Sequence, residues 1–498
     1  MNQFPTPQKP ENQINPSAIS LEITEDFSQN NLTQQKNSYL HNSLESYEPF
    51  IQQLMKDLDL VDNHSNQSKN ILETIRHISN AEFVCVLSCD EHNNWHLFSK
   101  CDSTLDLDKN LSIEELVSKL IPDLALNSVF NPAYCGNYIR HQQLENISPN
   151  NIVILPVKQL PNPEVMLIFG LPNNSYFYTD IYGKIISSFY QAIQNKILEP
   201  LLIEAAIIDE LKQSFGFVSS SLYERRLKLF CQRLQQMVIY FEPVLHLGRD
   251  DIFISGWEAL ARNPESLSSP SELFKAAELW GSNYILKLDQ YFLITAVQSY
   301  RQARDQRQRR PNDIVPLSVN VYPETLIRKE YFETLNQLIQ EDAIAPRNLI
   351  LEISEKSELP QFENGIRLDN PLSSFKKCLV QYVQKLNIRF AIDDFGVGYA
   401  SVSRLAGLNP SHVKIDREIL HHEPCHVIIK FVHEMVGVNN LNPASVIVEG
   451  IDENSPVSLR LLKKLGVSYI QGHIVGKSQP EIYRLTQEKI EELKRLIV

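Results

Sequence analysis

Ile388-Arg389-Phe390-Ala391-Ile392-Asp393-Asp394-Phe395-Gly396, followed by His412-Val413-Lys414-Ile415-Asp416, is the stretch whose reading decides the fold. Each half begins as a short apolar run, and the span between them is long enough for a helix. A strand, a helix and a second strand make a parallel unit. Asp393 and Asp394 stand side by side where the first run ends. Like charges in contact raise each other's pKa unless a cation lies between them. A divalent metal relieves that crowding, and a lysine beside it points to phosphate chemistry.

Working outward, eight short apolar runs occupy residues 237–245, 252–258, 317–321, 349–353, 388–393, 412–415, 446–449 and 469–471. After the second run, the intervening segments are of helix length. Such alternation predicts a largely parallel sheet, and eight strands can close into a barrel. The first two runs are joined only by about six residues around Gly248-Arg249-Asp250, whereas a parallel crossover needs about a dozen. Those two strands are therefore expected to be antiparallel. The expectation is an α/β fold, a (β/α)8 TIM-like barrel with one antiparallel strand.

Polar side chains recur where the runs end. The second ends in Glu258, the third holds Asn320, the fourth Glu352, the fifth Asp393 and Asp394, the sixth Lys414, the seventh Glu449 and the eighth Gln471. Active sites of such barrels lie at the carboxyl ends of the strands. A single acid after a strand is usually a turn former or a helix cap. Seven runs that all deliver carboxylate, amide or amine to one end are not explained that way. Glu258, Asn320, Glu352, Asp393, Asp394 and Glu449 offer the oxygen ligands that Mg²⁺ or Mn²⁺ prefer, enough for two ions. Such a pair can activate water against a phosphodiester, with Lys414 orienting or deprotonating that water or offsetting phosphate charge. Lys414 and Asp416, two apart on a strand, are expected to face one side. No His/Cys set has zinc spacing.

The remaining sequence supplies a second, mixed unit. Residues 1–45, rich in Asn, Gln, Pro and Ser, read as a disordered polar leader without a secretory signal. Over residues 46–200, helical patterning at 54–78 precedes strand-like runs at 83–87 and 95–98. A second hairpin joins 152–155 to 165–169, and a helix runs from Thr179 past Ile197 to a break at Pro200. This antiparallel sheet flanked by helices resembles a GAF-type sensory domain. Residues 201–236 form a helical connector interrupted near Gly216, and residues 237–498 form the barrel.

Composition agrees with a water-soluble chain of two or three domains: 43% hydrophobic, 21% charged, with no apolar run of membrane-spanning length. The seven unclustered cysteines suit a reducing cytoplasm. The net charge of −13 argues against DNA as a partner.

The barrel half resembles a known family. Glu258-Ala259-Leu260-Ala261-Arg262 is similar to the signature of the EAL domain, the bacterial phosphodiesterase of cyclic di-GMP. The likeness continues through Ser318-Val319-Asn320, Leu351-Glu352-Ile353-Ser354-Glu355, Asp393-Asp394-Phe395-Gly396-Val397-Gly398-Tyr399, Lys414-Ile415-Asp416-Arg417, Val448-Glu449-Gly450-Ile451 and Gln471-Gly472. It implies that Glu258, Asn320, Glu352, Asp393, Asp394 and Glu449 hold two Mg²⁺ or Mn²⁺ ions. Lys414 is implied as the catalytic lysine, Gln471 as a holder of the attacking water and Arg262 as a phosphate contact. Glu355 is implied as the anchor of the loop after Asp394, which couples dimer contact to metal binding in the family. The implied reaction cuts one bond of cyclic di-GMP to give linear pGpG, in a cytoplasmic homodimer. The alternative is a catalytically inactive cyclic di-GMP receptor.

Several positions depart from the family pattern. Glu242-Pro243-Val244 replaces Gln-Pro-Ile, Tyr322 a small serine, Asp452 a glutamate and Lys477-Ser478 an Arg-Pro pair; an insertion lies around residues 360–371. Other signals are read blandly. Arg301, Arg304, Arg307, Arg309 and Arg310 close a helix before Pro311. His421, His422, Cys425 and His426 are too tightly spaced for a regular metal site. Cys85 and Cys89 are core residues. Cys135 precedes Gly136 rather than the histidine of bilin-attaching domains. The Asp-Phe-Gly triplet lacks the other kinase motifs.

Overall fold

The structure, a computed structural model, describes residues 47–59, 67–101, 117–118, 121–124, 126–127, 138–142, 150–158, 161–172, 179–248, 252–306, 315–363, 366–396, 402–422, 424–437 and 443–497. The expected leader, Cys135 and Arg307, Arg309 and Arg310 lie outside these residues. The chain divides into two compact units, Met1–Tyr223 and Glu224–Val498.

The first unit is built on an antiparallel sheet in the order β2-β1-β5-β4-β3. Its strands are β1 (Phe83–Cys89), β2 (Trp95–Lys100), β3 (Tyr138–Gln142), β4 (Asn150–Lys158) and β5 (Glu164–Phe169). Both hairpins expected from the sequence form: Leu87 pairs with Leu97, and Ile154 with Leu167. The interior strand β1 is almost wholly buried, whereas β2 alternates between half-buried and exposed residues, as an edge strand with one solvent face does. β3 was not foreseen. The helix expected past Ile197 stops at Gln194, and Pro200 instead occupies the first turn of the next helix, Pro200–Phe215. Proline lacks an N–H, and the first turn of a helix is where none is needed. Gly216, at φ 74, ends that helix in the left-handed conformation that glycine adopts without steric cost.

The second unit closes as an eight-stranded barrel in the order β12-β13-β14-β15-β6-β7-β8-β9. The strands are β6 (Val238–Leu247), β7 (Ile252–Arg262), β8 (Leu317–Asn320), β9 (Leu349–Ser354), β12 (Arg389–Phe395), β13 (His412–Ile415), β14 (Ser445–Val448) and β15 (Tyr469–Gln471). A small hairpin of β10 (Phe362–Glu363) and β11 (Ile366–Arg367) occupies the insertion after β9. β6 runs antiparallel to both its neighbours, β15 and β7, and every other pairing is parallel. The short link between the first two runs allows no other arrangement.

The strands depart from two expectations. β7 does not end at Glu258. Its pairing with β6 continues until Arg262 faces Val238, because an antiparallel partner supplies hydrogen bonds past the point where the parallel neighbour stops. Nor does the strand carrying Lys414 extend to Asp416. It ends at Ile415, and the Asp416 carboxylate caps the following short helix by accepting a hydrogen bond from the Glu418 amide at 2.7 Å.

A buried acid sets the turn after β8. Asp289, on the helix Ser282–Gln306, accepts a hydrogen bond from the Tyr322 amide at 3.0 Å. Burial pushes its pKa up to about 7, whereas an unfolded aspartate titrates near ~3.9. Between those values the folded state keeps a proton that the unfolded chain has lost, so this group's contribution to stability falls as pH rises through the window. Asp289→Asn retains an acceptor and cannot ionise. It is expected to gain stability relative to wild type between pH 5 and pH 8, on the order of 2 kcal/mol. Calorimetric melting at both pH values checks this. The same offset at the two would contradict it.

Candidate active site

The parallel strands bring their carboxyl ends to one mouth, and register decides which side chains meet there. Asn320 on β8 pairs with Glu352 on β9, and Ala391 on β12 pairs with the same glutamate. On the other side, Glu242 of β6 lies directly opposite Glu258 of β7, and Gln471 of β15 opposite Val244 of β6. Lys414 comes from β13, and Glu449 follows β14 with its amide bonded to the Ile415 carbonyl at 3.0 Å.

Lys414 is the centre of the site. Its side chain is 1% exposed, and its Nζ lies 2.7 Å from Glu352, 2.7 Å from Glu449, 3.0 Å from Glu258 and 3.2 Å from Asp393. Around Glu258, Asn320 Nδ2 donates to Oε1 at 2.8 Å and Gln471 Nε2 donates to Oε2 at 2.6 Å. Glu258, Glu352 and Asp393 are all buried, and each offers a carboxylate oxygen within 4.8 Å of the others. Seven of the ten residues singled out from the sequence for this site converge here, Gln471 and six others. The six are Glu258, Asn320, Glu352, Asp393, Lys414 and Glu449.

The electrostatics follow from one ammonium among four acids. Burial depresses the Lys414 pKa, but Asp393, Glu258, Glu352 and Glu449 outweigh it and hold the group well above an ordinary lysine. Lys414 is therefore a cation here. Burial raises Glu352 to about 8 despite the pull of Lys414, with Glu258 and Asp393 adding repulsion. Burial likewise raises Asp393 and Glu449, each against the pull of Lys414 and with help from neighbouring acids. Glu258 goes the other way: burial is overcome by Lys414, Gln471 and Asn320 together. One ammonium does not suffice to keep all four acids ionised in a dry interior, which is why three of them are raised. The site has an electrostatic deficit that further cations would fill.

Its donor set fits hard divalent ions. Every acid and amide contributes oxygen. Asp393 Oδ1, although 3.2 Å from the ammonium, is buried and makes no hydrogen bond, and Gln471 Oε1 is likewise buried without a partner. Buried acceptors left in this state are costly unless something else occupies them.

The other candidates lie around this cage. Asp394 has φ 57, a left-handed backbone that is uncommon for a non-glycine residue. Its carboxylate accepts from Ser354 Oγ at 2.9 Å and from Lys356 Nζ at 3.0 Å. Lys356 also reaches Asp416 at 3.4 Å. Glu355 is buried, and its Oε2 accepts from the Gly396 amide at 2.7 Å. Gly396 itself has φ 107, and a Cβ there would meet the Ile419 side chain at 2.6 Å. Of the loop expected at 395–401, only Phe395 and Gly396 are among the described residues. Arg262 donates to the Ala261 carbonyl at 3.0 Å and to Ser478 Oγ at 3.4 Å. It lines a cavity of about 420 Å³ shared with Asn320, Tyr322, Ser354 and Lys356.

Two residues were not foreseen. Lys356 follows Glu355 directly, and its proximity to a predicted acidic site was the available signal. Arg404, buried, donates to the carbonyls of Ser357 at 2.9 Å, Glu355 at 3.3 Å and Ser354 at 3.4 Å. It thereby fixes the segment that carries Glu355 and Lys356. Nothing in its local sequence announced this contact.

Comparison with known proteins adds the following. The family model described as the EAL domain matches residues 224–478. The chain is 30% identical over 167 residues to the probable cyclic di-GMP phosphodiesterase PdeA of Escherichia coli (strain K12), covering 33% of this chain and 21% of that protein. It is 32% identical over 167 residues to the cyclic di-GMP phosphodiesterase TpdA of Vibrio parahaemolyticus serotype O3:K6 (strain RIMD 2210633), covering 33% and 26%. A solved structure of the Bacillus subtilis YkuI protein, with an EAL domain, in complex with substrate c-di-GMP and calcium, aligns at 19% identity. It covers 54% of this chain and 62% of that one, with a TM-score of 0.43. The matches thus take in about a fifth to a quarter of the length of these curated relatives.

Proposed function

The chain belongs to the EAL-domain family, and from that premise we propose that it hydrolyses one phosphodiester bond of cyclic di-GMP to linear pGpG under the control of its first unit. The observation that carries the proposal is the buried Lys414 held by Glu258, Glu352, Asp393 and Glu449 at the carboxyl end of the barrel. Glu258, Asn320, Glu352, Asp393, Asp394 and Glu449 would hold two Mg²⁺ or Mn²⁺ ions. Bound there, the ions would supply Lewis acidity and a nucleophilic water at neutral pH.

The chain's own residues do the rest. Lys414, as an ammonium, gathers the acids and offsets part of their charge. Gln471 is tied through Nε2 to Glu258, which leaves its buried Oε1 free to accept a hydrogen from the attacking water. Arg262 is anchored by Ser478 at the cavity rim, where a guanidinium suits a phosphate. Glu355 acts at one remove by holding the Gly396 amide. Glu355→Ala is expected to lower kcat/KM about tenfold or more, while Glu355→Gln, which keeps an acceptor, stays within about threefold of wild type. Steady-state kinetics check this, and an unaltered Glu355→Ala enzyme would remove the anchoring role.

The antiparallel sheet of the first unit, with its flanking helices, supports a GAF-like sensory domain in residues 46–200, joined by a helical connector at 201–236. No helix among the described residues is long and apolar enough to cross a membrane; the cytoplasmic homodimer is proposed from the family resemblance alone. A second reading, a catalytically inactive cyclic di-GMP receptor, is favoured by one observation: Asp394 is engaged by Lys356 rather than turned into the cage.

The deciding experiment incubates the full chain with cyclic di-GMP and Mn²⁺ or Mg²⁺ and separates the products chromatographically. The proposal expects pGpG that vanishes with EDTA. Tight binding without product would establish the receptor instead.

A further inference from the structure

Asp394 is the one described carboxylate of the expected ligand set that Lys414 does not touch. A different lysine holds it. Lys356 Nζ lies 3.0 Å from Asp394 Oδ1 and 3.4 Å from Asp416 Oδ2. The two lysines differ in kind. Lys414 is 1% exposed and pinned by four acids, whereas the Lys356 side chain is 51% exposed. An exposed ion pair contributes little and exchanges readily, so Lys356 can leave without disturbing the core.

The backbone presents Asp394 to that lysine. At φ 57 the residue turns out of the β12 strand geometry, and Ser354 Oγ fixes its second oxygen at 2.9 Å. The carbonyls of Ser354, Glu355 and Ser357, all held by Arg404, bracket the segment from which Lys356 projects. The ammonium is therefore delivered to one place by a rigid support on a flexible stem. There it offsets the repulsion between the adjacent charges of Asp393 and Asp394.

We propose that Lys356 is a tethered counter-ion that sets the affinity of the site for its second cation, because a divalent ion reaching Asp394 must displace the Lys356 ammonium. The inference rests on the divalent-metal reading given above. An ammonium 3.0 Å from Asp394 Oδ1 stands where a cation bound to that oxygen would repel it. Once released, Lys356 remains on the wall of the cavity that Arg262 also lines. The displaced charge stays beside the position proposed for the substrate phosphate. Loading of the second cation would thus free, from its carboxylate partner, a positive group that already lines the ligand cavity.

The test titrates Mn²⁺ into the full chain without nucleotide, with calorimetry for heat and electron paramagnetic resonance for free Mn²⁺. Three proteins are compared: wild type, Lys356→Met and Lys356→Arg. Lys356→Met is expected to bind the weaker of two Mn²⁺ ions roughly threefold to tenfold more tightly than wild type, with the tighter ion unchanged. Lys356→Arg, which keeps the charge, is expected to match wild type within about twofold. A merely structural lysine would not separate the two variants in this way. Lys356→Gln serves as a second neutral variant should the methionine protein melt early. Mn²⁺ binding that is equal or weaker in the neutral variants would overturn the proposal while leaving the metal site intact. Absence of Mn²⁺ binding in all the proteins would instead overturn the metal reading itself, and this inference with it.

Discussion

Lys414→Met is expected to abolish hydrolysis and, in EDTA, to destabilise the barrel by about 3–5 kcal/mol. The substitution keeps the length and apolar stem of the side chain and removes the charge on which four acids converge. Removing one partner of a buried ionic cluster costs far more than the cluster was worth, since the remaining charges are left without compensation. Glu352, already at about 8 with the lysine present, and Glu449, already well above an ordinary glutamate, would be driven further toward the protonated form, because Lys414 is the group that pulls both down. Mn²⁺ should return most of the lost stability, because it supplies positive charge to the same oxygens. It should not return turnover, because nothing then occupies the position of the ammonium. Calorimetric melting of the barrel transition with EDTA and with Mn²⁺, beside product analysis, checks both halves. A Lys414→Met protein as stable as wild type in EDTA would mean that the four carboxylates do not face one another as described.

Glu258→Gln is expected to show the opposite pattern: a modest loss of stability that Mn²⁺ does not repair, and a fall in turnover of about a thousandfold. Glu258 is the acid that the site keeps most readily ionised, held below an ordinary glutamate by Lys414, Gln471 and Asn320 against the effect of burial. Both of its oxygens accept from amide donors, Asn320 Nδ2 at Oε1 and Gln471 Nε2 at Oε2. A glutamine must turn its own NH₂ toward one of them, which costs about 1–3 kcal/mol for an unsatisfied buried group. Removing a charge from a crowded set of acids offsets part of that cost. Metal affinity should fall by at least tenfold, because the change removes a ligand charge and loosens Gln471 and Asn320 together. Calorimetric Mn²⁺ titration and single-turnover assays would measure these effects. Near-normal metal affinity would place the ions elsewhere.

Much of this arrangement was legible in the sequence, for a physical reason. In a parallel barrel, the last residue of a strand and the mouth of the barrel coincide, so position along the chain is a proxy for position in space. Glu352, Asp393, Lys414 and Glu449 could be located that way. The reversed strand was legible because six residues are too few for a parallel crossover. What stayed hidden depended on backbone angles and side-chain reach. Asp394 adjoins Asp393 in sequence, yet its positive φ gives it different partners. Asp416 looked like a strand neighbour of Lys414 but is a helix cap, since β13 is only four residues long. Lys356 and Arg404 act through long side chains across 38 and 47–50 residues of sequence, which no local pattern encodes. β3, Tyr-Ile-Arg-His-Gln, has a single aliphatic residue, so its strand character comes from its neighbour β4 rather than from its own pattern.

The central claim is that oxygens from separate strand ends cage a pair of cations beside Lys414. Crystals grown with Mn²⁺ and measured at the manganese absorption edge test it most directly. The account predicts two anomalous peaks among Glu258, Asn320, Glu352, Asp393, Asp394 and Glu449, with the Lys414 ammonium shifted off the acids that the metal takes. Manganese found only on the outer surface, with Lys414 still in contact with all four carboxylates, would contradict it.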